Sequence, residues 1–199
     1  QIESRYFGIL TKIFNVGRFA SQFDFDGDLD KVPDNLENED QWILAEFSDL
    51  LEKARVGYSG LDIYTAAQGI KTFSTGVFAS HWLEMSKTRL YNDDASATWT
   101  LHRVFRDLLS ILSPICPFFT HHLSTILYEN SAVDVDTFPE IPMSETAKWT
   151  KMTDSLVDFN STVWKAKKDA GISLAAPISG HTVPDELKNI GPALVSMHK

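Results

Sequence analysis

The chain is poor in cysteine, in positive charge and in long apolar runs, and each shortage removes a class of function. Cys116 is the only cysteine among 199 residues, so no internal disulfide can form, which suits a reducing compartment. It stands in the apolar stretch SPICPFF (113–119) with no cation beside it, the setting of a buried structural thiol rather than a nucleophile. No apolar run approaches the roughly 18 residues of a membrane span, and no secretory leader is visible. Lys and Arg together number 18 against 27 Asp and Glu, a net charge of -9. That balance argues against broad nucleic-acid binding, because phosphate contacts need cations; it leaves room for a local basic patch. No internal repeat or low-complexity tract stands out. The sequence opens on Gln1-Ile2-Glu3, without methionine and directly into an amphipathic pattern. We therefore expect a segment of a longer protein.

What the chain does have is helical periodicity. Phe7, Leu10, Phe14 and Gly17 form one stripe of a helix over residues 3–22. An acidic loop follows, broken by Gly27 and Pro33. Its DFDGD resembles a calcium loop, but the ligand spacing and closing Glu of an EF-hand do not follow. A second helix is expected over 38–57, with Asn38 as its cap, Trp42, Leu44, Ala45, Leu50 and Leu51 as its apolar surface, and Gly57 and Gly60 at its end. A long third helix covers 61–92, and a fourth covers 95–112. Pro114 stops the fourth, and Pro117 suits the first turn of a fifth helix, which runs to residue 128. Residues 129–143 read as irregular. A sixth helix spans 144–170, with Gly171 as a left-handed cap. The tail alternates weakly enough to suggest short strands. The expectation is an all-α antiparallel helical bundle over 1–130, followed over 131–199 by a linker, the sixth helix and a small α/β tail.

At about 100° per residue, Ile63, Ala66, Ala67, Ile70, Phe73, Val77 and Phe78 make one buried stripe of the third helix. The same line then meets His81, Glu84, Met85 and Thr88, so a buried face ends in polar groups. A buried charge needs a partner, and Arg18 at the edge of the first helix is the candidate for Glu84. Met85-Ser86-Lys87 resembles the mobile phosphate loop of some ATP-using enzymes. It lies inside a strongly periodic helix without a flanking glycine, so its N–H groups are engaged and the match is a decoy.

Five stretches, in order, carry a resemblance. They are KIFNVGRFA (12–20), NEDQWIL (38–44), HWLEMSKTRLY (81–91), LLSILSPICPFFTHHL (108–123) and WKAKKDAGISLAAPI (164–178). Together they resemble the anticodon-binding bundle of class I aminoacyl-tRNA synthetases of the valine, isoleucine and leucine branch. The third stretch is nearest the valyl form. The lack of a basic coiled coil after it suits the archaeal type, and the isoleucyl form is the alternative. The likeness covers about residues 4–178. His121-His122 departs from it, standing where the family has an acidic pair. Adjacent histidines point to different helix faces, so no shared metal is expected there. His81 takes the usual Tyr place, and Gln41 replaces a charged residue.

The resemblance implies binding without catalysis, since the nucleotide-binding domain and its motifs are missing. ATP and Mg would serve the parent enzyme, and no cofactor or metal is expected in this segment. The implied partners are the anticodon stem-loop of a tRNA and the rest of the synthetase chain, in a cytoplasmic monomer. Splayed loop bases stack on rings and are read at their edges, while cations hold phosphates. The tRNA-binding residues so implied are Asn15, Arg18, Phe19, His81, Glu84, Lys87, Arg89 and Tyr91, joined by the cluster Lys165, Lys167 and Lys168. No catalytic residue is assigned. From composition alone, an acidic helical module that binds another protein through its aromatic surface stands as the competing reading. A hydrolase built on His81, His121 or His122 lacks a paired nucleophile.

Overall fold

The computed structural model describes residues 2–129, 138–143 and 145–199, without the side chains of 2–6. Among the described residues every regular element is a helix. The helix α1 covers Ile2–Ala20 and α2 covers Asn38–Ser59; α3 covers Ile63–Thr72 and runs through a π-wound stretch, Phe73–Trp82, into α4, Leu83–Leu90. Next come α5 (Ala95–Leu112) and α6 (Pro117–Tyr128). Beyond them lie α7 (Thr146–Thr150), α8 (Thr153–Asp169), a 3-10 turn (Asp185–Ile190) and α9 (Gly191–His198).

The bundle closes around α5, which buries Trp99, Leu101, Val104, Phe105, Leu108 and Leu109. Trp42, Ile43, Leu44 and Phe47 of α2 and Ile13, Val16 and Ala20 of α1 complete the same core. Only part of the expected α1 stripe is buried: Gly17 packs under the Phe105 ring and Leu10 is half-buried, but Phe7 is 72% exposed and Phe14 39%. Asn38 is the first helical residue rather than the cap, and its side-chain amide donates to the Asn189 carbonyl. Gly57 does not end α2. It sits inside the helix where α3 crosses, and a Cβ there would lie 3.0 Å from the Asp62 carbonyl oxygen and 3.3 Å from the Ala66 methyl. Gly57→Val should lower stability by about 1–3 kcal/mol in urea titration, as overpacking does. Gly76→Val, where a Cβ meets nothing within 4 Å, is the matched control and should change it far less.

The stretch Phe73–Trp82 departs from α geometry for readable reasons. Ser74 and Thr75 turn their hydroxyls back onto the Lys71 carbonyl, and Ser80 donates to the Thr75 carbonyl at 2.7 Å. Such side-chain bonds compete with the helical ladder and loosen its winding. The Leu83 N–H accordingly reaches the Phe78 carbonyl, five residues back. Because π winding turns less per residue, Ile70, Ser74, Phe78, Trp82, Ser86 and Leu90 all fall inside. A line drawn at 100° per residue reaches Phe78 but misses Trp82, Ser86 and Leu90.

The tail differs from expectation as well. No strand forms among the described residues of 172–184. Ala176 donates to the Ser173 carbonyl in a turn, and Pro177 has no N–H for a ladder. The sixth helix is split in two, at Lys151-Met152. Gly171 does adopt the left-handed conformation, with φ +68°. Trp42 of α2 donates its indole N–H to Thr153, which docks the start of α8 on the bundle, and α9 packs on α4. Residues 130–137 of the expected linker lie outside the described residues.

Candidate nucleic-acid interface

An open groove of about 750 Å³ runs between α1, α4 and the C-terminal segment. From α1 it takes Lys12, Asn15, Val16 and Phe19, each on the face turned to α4. Glu84, Lys87, Thr88 and Leu83 form the opposite wall, while Trp164, Leu174, Ala175, Ser196 and Met197 close the third side. Apolar surface thus lies between charged and amide groups, the composition that a splayed base with its phosphate requires.

Four of the residues expected at an RNA site, Asn15, Phe19, Glu84 and Lys87, meet in this groove. Glu84 is not joined to Arg18. Its carboxylate accepts from the Lys87 ammonium at 2.6 Å and 2.7 Å, within one turn of the same helix. Both side chains remain about two-fifths exposed, so the pair adds little to stability and can open toward a ligand. Arg18 is exposed on α1 beside Phe19 and makes no ion pair among the described residues. Tyr91 is 61% exposed, and its ring meets Phe19 edge-on at 6.2 Å and Phe23 at 5.4 Å. A cluster of rings therefore stands at one rim of the groove.

The other expected residues are placed elsewhere. Arg89 points away from the groove, and its guanidinium donates to Glu39, Asp40, Asp94 and Ser96 at 2.6–3.1 Å. Burial alone would lower its pKa, but the bonds and charge of Asp40, with Asp94 and Glu39, outweigh that and raise it. Its donors are engaged with partners inside the fold. His81 is buried behind Trp164, with ring centroids 5.4 Å apart. Its Nδ1 lies 3.0 Å from the Asn160 amide nitrogen, and the Asn160 oxygen lies 2.8 Å from His198 Nε2. Lys165 and Lys168 are exposed on α8, but Lys167 is turned fully inward.

Burial pushes His81 down to about 4; it does the same to His198, with Lys167 and His181 adding to the effect there. A histidine held below its ordinary value of about 6.5 leaves the unfolded chain binding more protons, so stability is full above that value and falls as pH drops toward 4. The loss between pH 7 and pH 5 should shrink in His81→Gln, measured by urea midpoints across that range. Trp82 is fully buried against Phe78 and presents no ring face to a base. Met85 and Ser86 are buried within α4, so this stretch offers no cradle to ATP phosphates. No group of three or more His, Cys, Asp or Glu could hold a metal among the described residues. No described helix is long and apolar enough to cross a membrane.

Sequence reasoning missed Lys12 and Trp164. Lys12 lies three residues before Asn15 on one helix face, a spacing that could have drawn attention to it. Trp164 opens the lysine-bearing stretch, where the charges are more conspicuous than the ring.

A family model described as the anticodon-binding domain of tRNA ligase matches residues 40–182. The chain belongs to this family. Curated relatives agree with that membership. It is 34% identical over 157 residues to a valine–tRNA ligase of Sulfurisphaera tokodaii, covering 75% of this chain and 19% of the relative. A valine–tRNA ligase of Saccharolobus solfataricus is 30% identical over 173 residues, covering 86% and 20%. One from Pyrobaculum aerophilum is 32% identical over 200 residues, covering 96% and 24%. The chain spans about a fifth of the length of these relatives. The groove beside α1 brings Lys12 and Lys87 together with the rings of Phe19 and Trp164.

Proposed function

We propose that this chain recognises the anticodon stem-loop of a tRNA, as the anticodon-binding part of a valine–tRNA ligase. The observation that carries this is the groove, where Lys12, Asn15, Phe19, Glu84 and Lys87 converge with Trp164. Lys12, Lys87 and the exposed Arg18 would hold loop phosphates; Phe19, Tyr91 and Trp164 would stack bases; Asn15 and Glu84 would read their edges. The acid-rich loop after α1 does not cover this surface. Its Asp30 is drawn to Arg103 and Arg106 on α5. The relatives named above favour valine over isoleucine. Ligation itself, with ATP and Mg, falls to other parts of the parent enzyme, which we place in the cytoplasm as a monomer.

Binding of the chain to anticodon stem-loop RNA, followed by anisotropy, tests this. Three phosphate contacts predict a log–log salt slope of about -2, so affinity should fall roughly twentyfold between about 50 and about 200 mM salt. A valine anticodon should be preferred over a swapped one. Equal affinity for all anticodons would end the specific reading, and salt-insensitive capture of a protein instead would favour the interaction module.

A further inference from the structure

Lys167 is fully buried, yet no carboxylate is its partner among the described residues. Its ammonium donates to two backbone carbonyls, of Leu174 at 2.8 Å and of His198 at 3.4 Å. Burial lowers its pKa, so the charge is kept at a cost. What it grips explains the arrangement. Leu174 leads into Ala175, and His198 follows Ser196 and Met197; Leu174, Ala175, Ser196 and Met197 form the third wall of the groove together with Trp164. The two wall segments come from different parts of the chain, and the Lys167 ammonium is the group that holds both by their backbones. On the far side, Asn160 holds the His198 ring. The main chain of Lys167 also fixes the turn, since its carbonyl accepts from Ile172 at 3.0 Å.

We propose that Lys167 is a positioning residue for RNA: it never touches the phosphates, but it ties the Leu174 and His198 segments into one wall against which a loop base packs. This rests on the groove being the anticodon-loop site. It separates Lys167 from its exposed neighbours Lys165 and Lys168, which the fold leaves in solvent.

The test measures affinity for an anticodon stem-loop RNA with a valine anticodon over a salt series, for the unmutated chain, Lys167→Met, Met197→Ala, both together, and Lys87→Met. Lys167→Met should weaken binding on the order of tenfold, the scale of one lost base packing, with its salt slope unchanged. Lys87→Met should instead flatten the slope by about 0.7, the mark of one phosphate contact. Met197→Ala should weaken binding too, and the double variant should be no weaker than Lys167→Met alone. Parental affinity in Lys167→Met, or a slope flattened by about 0.7 in it, overturns the proposal. Should Lys167→Met not fold, parental affinity in Met197→Ala overturns it equally. If the unmutated chain shows no salt-sensitive binding, or Lys87→Met changes nothing, the groove reading itself fails and takes this inference with it.

Discussion

Arg89→Met should cost about 3–5 kcal/mol of folding stability, because it strands a buried carboxylate rather than merely deleting a contact. Asp40 has no exposed surface, and Arg89 reaches both of its oxygens, at 3.0 Å and 2.7 Å. Without the guanidinium, one oxygen retains the Trp82 indole N–H at 3.2 Å and the other retains Ser96 at 3.0 Å. Two neutral donors cannot offset the desolvation of a full charge. The same arginine joins α4 to the first turn of α2 and to the Asp94 cap of α5, whose side chain accepts from the Ala97 N–H. Three helix ends are therefore released together. Urea titration with a single fitted m-value reads the loss, and Arg89→Met with Asp40→Leu should recover part of it. A variant with parental stability would show that this network does not hold the bundle.

Trp82→Ala should be similarly damaging, about 3–5 kcal/mol, the range for emptying a large buried aromatic site. Its ring has no exposed surface and stacks on Phe78 with centroids 5.4 Å apart, and Phe78 in turn stacks on Phe73 at 5.9 Å. Trp82→Phe should cost less, since most of the volume stays and the loss is the bond to Asp40. Measured below the unfolding transition, RNA affinity of Trp82→Phe should equal that of the parent. A selective loss of affinity in a stable Trp82→Phe protein would instead mean that the ring meets a base in a rearranged state.

Both variants probe places where sequence and structure part company. The bounds of α5 and α6 are readable because Pro114 and Pro117 punctuate the chain by their chemistry, and Gly171 is readable because a left-handed cap favours glycine. Membership in the anticodon-binding family is readable from short motifs in order. Four groove residues come with it. What is not readable is where a charge finds its partner. Arg89 and Lys87 look alike on a helix surface, but one meets Glu39 and Asp40 from a helix nearly fifty residues away and the other meets only its neighbour Glu84. Lys167 among Lys165 and Lys168 is the same problem at closer range. The stripe of α1 is misjudged for another reason: periodicity names a face that is apolar, not whether another element covers it. The expected strands fail because weak alternation over a proline-containing stretch leaves no pairing partner.

The underwound register of Phe73–Trp82 has a consequence for heredity of the site. This stretch behaves as a phase shifter between two halves of one rod. Its hydroxyl groups set the phase, and the angle at which Glu84 and Lys87 emerge follows from it. Substitutions at Ser74, Thr75 or Ser80 that tightened the coil would swing those two side chains off the groove while leaving each of them intact, so the specificity of the surface is partly encoded in small residues that never approach it.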